Sequence, residues 1–378
     1  MRFWVFESKK YLANPKNIIC LSLLVFIILG LFGFNQIVLK PKLAIHETEM
    51  VNLNLQESQR SVEELERMAQ ISPNDEEVNT QLGYAKEIYN IRLEQKSALD
   101  KGDFSLYSDL ENNLNKFQLS QIEDKDSKEY KEVMKRIDYH QSIKSVNGVP
   151  SIIINDTTDT SFVIGRTIVS WLSSTTFLVL FTILLADNLS SEIESSQIRL
   201  YHFLGRGKVS HLITKLIVPV FWTFLATIMS FGVLYLVKGV MDGFGTWQYP
   251  YLTEDKTIVP IWSITLKSVL LFLSSLFFIT SLGQLLSLVF KKSLVTIGMI
   301  VVSLTGFATI AQEEWFQSMK KFFPFEYMGY GQILNDSVVL PDNVFLIGMT
   351  YLLTLSIIFF IISNYLYKNY FIRKVGKA

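Results

Sequence analysis

The sequence predicts an α-helical polytopic membrane protein: six transmembrane helices, with a mainly helical extracellular domain inserted between helices 1 and 2. The first observation is that the apolar residues, 49% of the 378, are gathered into runs. Six uncharged stretches, Ile18–Leu39, Thr167–Ala186, Leu216–Val237, Ser268–Phe290, Ser293–Gln312 and Asn343–Tyr367, are each at least 20 residues long. A helix rises ~1.5 Å per residue and the hydrocarbon core of a bilayer is ~30 Å thick, so every run is long enough to cross. A buried core helix explains one such run, but not six rich in Leu, Ile, Phe and Val.

The second observation is a division of charge. The net charge is zero, yet residues 40–160 hold 15 basic and 23 acidic residues, leaving 20 basic and 12 acidic for the remainder. The excess base lies beside the spans: Arg2, Lys9, Lys10 and Lys16 before the first, Arg199, Arg206 and Lys208 after the second, Lys291 and Lys292 after the fourth. By the positive-inside rule both termini are cytoplasmic and the acidic region is outside. The third observation is a change of period, from continuous apolar runs to soluble amphipathic helix, between Lys40 and about Gly165. The lipid bilayer is an expected partner and nucleic acid is not.

Residues 1–39 should form an interfacial N-terminal helix and the first span. Phe3, Trp4, Phe6, Tyr11 and Leu12 alternate with Arg2, Lys9 and Lys10 before a break at Asn14-Pro15, which suits a helix lying in the interface. A frayed basic N-terminus would have the same composition. No small-x-small cleavage site follows the first run, so it should stay as an anchor. The single cysteine, Cys20, lies within it, so the outer domain must be held by packing without a disulfide, which fits a bacterial cell.

Residues 40–165 should form the extracellular domain. Val78, Leu82, Ala85 and Tyr89 make one apolar stripe, Tyr107, Leu110, Leu114 and Phe117 a second, and Tyr130, Val133, Ile137 and His140 a third. Ser72-Pro73-Asn74-Asp75 supplies cap residues, and Lys101-Gly102-Asp103 closes one helix and caps the next, so a helical hairpin is expected. Turn formers around Ser151–Ile154 predict a short strand before the chain returns to the membrane.

Residues 166–378 should carry spans two to six, a cytoplasmic loop over 188–210 and an extracellular hairpin over 313–342. In the loop Leu189, Ile193, Leu200 and Leu204 fall at helical spacing, Glu192 and Glu194 suit the positive end of a helix dipole, and Gly205 suits a left-handed C-terminal cap. Such a helix would lie along the membrane surface, its apolar stripe on the bilayer or on neighbouring spans and its other face left for a partner. Pro219 is expected to bend the third span near its cytoplasmic end. Lys267 either snorkels to the outer headgroups or provides a cationic lining residue for a substrate path. The aromatic stretch after Glu313, interrupted by Pro324, Gly329 and Gly331, predicts short helices dipping into the outer leaflet, though an aromatic belt would have the same composition.

The loop after the second span resembles that of ABC-2 type ABC-transporter permeases, in which an acid-bearing stretch leads through Gly and a basic residue to a Lys opening the third span. Here these are Glu192 or Glu194, Gly205, Arg206 and Lys215; Glu194 is followed by Ser-Ser where the family usually has Arg and then Gly. Pro324 with Tyr327 is similar to the hairpin before the family's last span. The resemblance implies the transmembrane permease subunit of an ABC exporter, coupling ATP hydrolysis by a separate cytoplasmic ABC ATPase subunit to efflux of a peptide, bacteriocin or amphiphilic compound. It also implies a second permease subunit, as homo- or heterodimer, and ATPase-coupling roles for Glu192, Glu194, Arg199, Gly205, Arg206 and Lys208.

No phosphate loop of the form G-x-x-x-x-G-K-[ST] occurs, so ATP belongs to the partner subunit and no cofactor is expected in this chain. His46, His140, His202 and His211 form no His-Glu-x-x-His pair, and no G-x-S-x-G elbow is present, so neither a metal site nor a catalytic residue is expected. An intramembrane enzyme is disfavoured because no polar constellation stands out inside the spans. The remaining alternative is a polytopic receptor or sensor with a ligand-binding extracellular domain.

Overall fold

Asn14 and Pro15 decide where the first membrane helix begins. The computed structural model describes residues 2–148, 171–198, 209–252, 257–328 and 344–375. Helix α1 (Arg2–Ala13) stops before Asn14, and Pro15, which has no N–H to leave unbonded, opens α2 (Pro15–Phe34) at its first position. The Asn14 side-chain oxygen accepts from the Lys16 N–H at 3.1 Å, and the Asn17 amide donates to the Tyr11 carbonyl at 3.0 Å, tying the two helices across the bend.

Helical backbone then runs without a break from Pro15 to Ile71. Between α2 and α3 (Lys40–Ile71) lies one π-helical turn, Asn35–Leu39, closed by the Lys40 N–H on the Asn35 carbonyl. Pro41 supplies a cause: it cannot donate to the carbonyl four residues back and its ring presses on that turn, so the helix widens just before it.

Two compact units form. One comprises Leu31–Ile164 and Tyr235–Trp262. It contains α3, α4 (Glu76–Asp100), α5 (Phe104–Gln121) and α6 (Lys128–Ser145), each packed on the next in chain order. The caps are those the sequence specifies. Asp75 accepts from the Glu77 and Val78 N–H groups, Asp103 accepts from Leu106, and Gly102 takes φ +70°, open to glycine without strain. The predicted stripes face inward: Ala85, Tyr107, Leu110, Leu114, Val133, Ile137 and His140 are buried. The unit also takes in a two-stranded hairpin, β1 (Pro250–Leu252) against β2 (Ile258–Pro260), with Pro250 opposite Pro260. The strand expected near Ser151–Ile154 lies outside the described residues.

The π turn has a consequence within this unit. Lys238, buried on α9 (Val209–Asp242), donates to the Gln36 side-chain oxygen at 3.1 Å and pairs with Asp242, which also pairs with Lys40 at 3.2 Å.

The other unit comprises Met1–Gly30, Gly165–Leu234 and Ser263–Ala378. Its further helices are α7 (Thr175–Leu185), α8 (Ser190–Glu194), the body of α9, α10 (Ile261–Phe290), α11 (Ser293–Ile310) and α12 (Val344–Val375). Two 3₁₀ helices, Glu314–Phe322 and Pro324–Met328, precede α12, and the Tyr351 hydroxyl donates to the Phe322 carbonyl at 2.7 Å. Among the described residues six helical segments are long and apolar enough to cross a membrane: Pro15–Ile71, Thr175–Glu194, Val209–Asp242, Ile261–Phe290, Ser293–Ile310 and Val344–Asn369. The protein is therefore an α-helical polytopic protein of membrane-embedded character.

The second span departs from the uninterrupted helix expected over Thr167–Ala186. Helix α7 has 11 residues, about 16 Å at the α-helical rise, or roughly half a hydrocarbon core. It is followed by a turn and the short α8. The surface helix expected to continue through Leu200 and Leu204 is also interrupted, because Ser196 adopts φ +59°. The cause is local: the Ser195 hydroxyl bonds back to the Ser191 carbonyl at 2.8 Å, and a Ser-Ser pair offers the backbone an alternative to continued helix.

Candidate functional site

The residues that carry charge at the helix ends of the first-described site segment, α8, meet partners from three other helices. On α1, Glu7 and Lys10 are three residues apart and share a helical face; on α9, His211 and Lys215 are four apart and do the same. Glu192 on α8 lies between them. Its Oε1 is 2.5 Å from Lys215 Nζ and also accepts from Lys10 Nζ, while its Oε2 faces His211 Nε2 at 3.2 Å. Lys215 Nζ also reaches Glu7 Oε2 at 2.6 Å, and His211 Nδ1 lies 3.0 Å from the Tyr367 hydroxyl on α12.

All but Lys10 of this cluster is buried. Two carboxylates and two ammonium groups cancel in charge, which makes the burial tolerable: an ion in low dielectric costs several kcal/mol unless paired and hydrogen-bonded. Leu189, Ile193 and Ile198 pack with Leu212, Leu288 and Tyr367, so the described part of the loop's apolar stripe, Leu189 and Ile193, rests on neighbouring helices; Leu200 and Leu204 lie outside the described residues.

A second set of contacts draws in the remaining helix ends. Lys16 at the start of α2 pairs with Asp187 and donates to the Ile183 carbonyl at 2.9 Å. The other Asp187 oxygen accepts from the Ser293 hydroxyl at 2.8 Å, and Glu194 accepts from the Ser293 N–H at 3.2 Å, so both acids lie at the positive N-terminal end of α11. Gln284 on α10 donates to the Leu212 carbonyl at 3.0 Å. Gly283 lets α10 approach the end of α7 closely: a Cβ there would lie 2.6 Å from the Ala186 Cα.

Glu7, Glu192 and His211 offer ligand atoms within 4.8 Å of one another, the spacing of a metal site. Lys215 argues against that use, since its ammonium already lies against both carboxylates; a divalent ion would have to displace it.

Of the residues the sequence singles out, Glu192 is buried and paired within the chain, whereas Glu194 is exposed, as are Ser195, Ser196 and Gln197 after it. Glu192 is thus not a surface carboxylate. Arg199, Gly205, Arg206 and Lys208 lie outside the described residues. Lys267 lies on α10, half-buried, six residues in from the Ile261 end and about 9 Å along the axis, and meets none of the cluster. Glu192, His211 and Lys215 lie just beyond the apolar runs read as spans two and three, Thr167–Ala186 and Leu216–Val237, and not within them. The signal available in sequence was the paired spacing of Glu7 with Lys10 and of His211 with Lys215, at the edges of apolar runs, where ionisable residues are costly and call for partners.

No family model, curated protein or solved structure matches this chain.

Proposed function

We propose that the chain is the transmembrane permease subunit of an ABC exporter, working with a separate cytoplasmic ABC ATPase and a second permease subunit. The observation that carries the proposal is the bracing of the loop after the second span. Glu192 fastens α8 to α1 and α9, while Asp187 and Glu194 fasten the same segment to α2 and α11. A push on the exposed Glu194–Gln197 edge would reach several spans together, which is what a lever between an ATPase and a transport path requires. ATP binding can drive transport only if it favours one packing of the spans over another.

In this reading the charge distribution puts that face in the cytoplasm, Glu194 and the adjoining Arg199, Gly205, Arg206 and Lys208 meet the ATPase, and Glu192 acts indirectly by holding α8 in place. Lacking a phosphate loop, the chain hydrolyses no ATP itself, and the exported compound is a peptide, bacteriocin or amphiphile. The receptor alternative has one observation in its favour. A groove of about 610 Å³ in the helical unit is lined by Tyr84, Ile88, Phe117, Val133, Glu129 and Arg136, mixed in character as ligand grooves are.

The test is reconstitution of the chain with ATPase subunits from its native host in vesicles. Nucleotide-dependent export that requires both components is expected. Full signalling or ligand responses without any ATPase, and no ATPase stimulation, would favour the receptor.

A further inference from the structure

Beside the ion cluster is a cavity of about 290 Å³ with mixed polar and apolar walls, lined by residues of α1 and α2, of the 188–197 segment and of α9. Its walls carry both signs of charge, Glu7 and Glu192 with Lys10 and Lys215, together with Asn14, Asn17, Asn188 and Ser191. Three lining atoms, the Tyr11 hydroxyl, Glu192 Oε2 and Asn17 Oδ1, are buried without a hydrogen-bond partner. Asn17 is 1% exposed, its amide nitrogen is committed to the Tyr11 carbonyl, and its Oδ1 has no hydrogen-bond partner. A buried acceptor left empty costs as much as a lost hydrogen bond, so a donor is expected there. Tyr11, whose hydroxyl is pushed well above the usual tyrosine range by burial, forms a neutral wall.

We propose that this cavity binds the headgroup of an aminophospholipid from the adjoining leaflet. The primary ammonium would donate to Asn17 Oδ1, and the phosphate would lie toward Lys10, the more exposed of the two lysines. Three observations converge. The start of α2, the end of the second span and the start of α9 bound the cavity, which is the level at which an apolar span meets headgroups. The volume is about ten times the ~30 Å³ share of a single water, room for a headgroup. Exposed Ile18 and Phe221, close in sequence to the lining residues Asn17 and Pro219, provide apolar surface for an acyl chain. A zwitterion suits a lining whose charges cancel. A choline headgroup carries three methyl groups and no N–H, so it cannot satisfy Asn17. The inference needs the membrane location but not the ATPase reading.

The test is native mass spectrometry of the full chain in mild detergent, titrated with short-chain phosphatidylethanolamine or phosphatidylcholine. Phosphatidylethanolamine should be retained about tenfold more strongly, the factor expected of one charge-assisted hydrogen bond. Asn17→Leu should abolish the preference, and Asn17→Asp, which keeps the acceptor, should retain it. Ser191→Leu, which fills the cavity from a half-buried wall, should displace the lipid and serves if Asn17→Leu fails to fold. Equal retention of the two lipids, or a preference that survives Ser191→Leu, would overturn the proposal. Free phosphoethanolamine competing as well as the lipid would overturn the lipid assignment.

Discussion

In the membrane-embedded unit the ion pairs join residues far apart in sequence: Lys10 meets Glu192 across 182 positions, and Lys16 meets Asp187 across 171. Between α3, α4, α5 and α6 of the other unit they are shorter in range and wetter, although Lys40 at the start of α3 meets Asp242 across 202 positions. Arg92 pairs with Glu111 19 positions on, Lys144 with Asp109 35 positions back, and Lys86 with Glu66 at the surface. The difference follows from solvent. A charge at a helix edge facing lipid has few alternatives to a protein partner, so its pairing fixes which helices adjoin; a charge on a solvated helix already has water and contributes little to stability. The helical unit depends instead on its apolar stripes and caps.

If that contrast holds, Lys215→Met should have the largest effect. It leaves Glu7 and Glu192 buried without their shared cation, at a cost of about 3–5 kcal/mol, and should lower the thermal midpoint and yield of the detergent-purified chain. Adding Glu192→Gln to Lys215→Met should recover part of the loss; no recovery would mean that the pair contributes no coupling. Next comes Leu114→Ala in the helical unit, where Leu114 is 2% exposed, with about 2–5 kcal/mol expected as lost hydrogen-exchange protection in α5 and α6.

A pH effect should be confined to the same core. His140 accepts or donates at 3.0 Å to Ser108, and burial, with Arg136 adding to it against Glu111 and Asp109, holds its pKa below the ordinary 6.5. The unfolded chain therefore binds a proton more readily than the folded one between those two values. Stability is full above pH 6.5 and is lost as pH falls toward the folded value. Exchange protection of α6 should fall as pH is lowered from above 6.5 toward the depressed folded value, and His140→Phe should flatten that dependence. Smaller again is Asp75→Ala, about 1 kcal/mol from the lost cap, confined to fraying at the start of α4. Lys144→Ala, breaking an exposed pair, should change stability by under ~1 kcal/mol.

The same contrast explains what could be foreseen. Asp75, Asp103 and Gly102, with the stripes through Leu114 and Ile137, are local signals, and the helices they punctuate form where the sequence places them. The hairpin at Pro250–Leu252 and Ile258–Pro260 is three residues a strand with proline at its ends, too short for an alternating pattern. The ion cluster was hidden for another reason. Glu7, Glu192, His211, Lys215 and Tyr367 acquire a meaning only when α1, α8, α9 and α12 are known to adjoin, and no local period encodes that. Glu192 and Glu194, two residues apart and alike in sequence, separate only when α8 turns one inward and leaves the other exposed.

The most direct test is photo-crosslinking in intact cells from two exposed positions, Glu194 beside the cluster and Asp100 in the helical unit, each replaced singly by a photoreactive residue. The account predicts an adduct with a soluble ATPase subunit from position 194 and none from position 100. An ATPase adduct from position 100, or none from position 194 in a transport-competent chain, would contradict it.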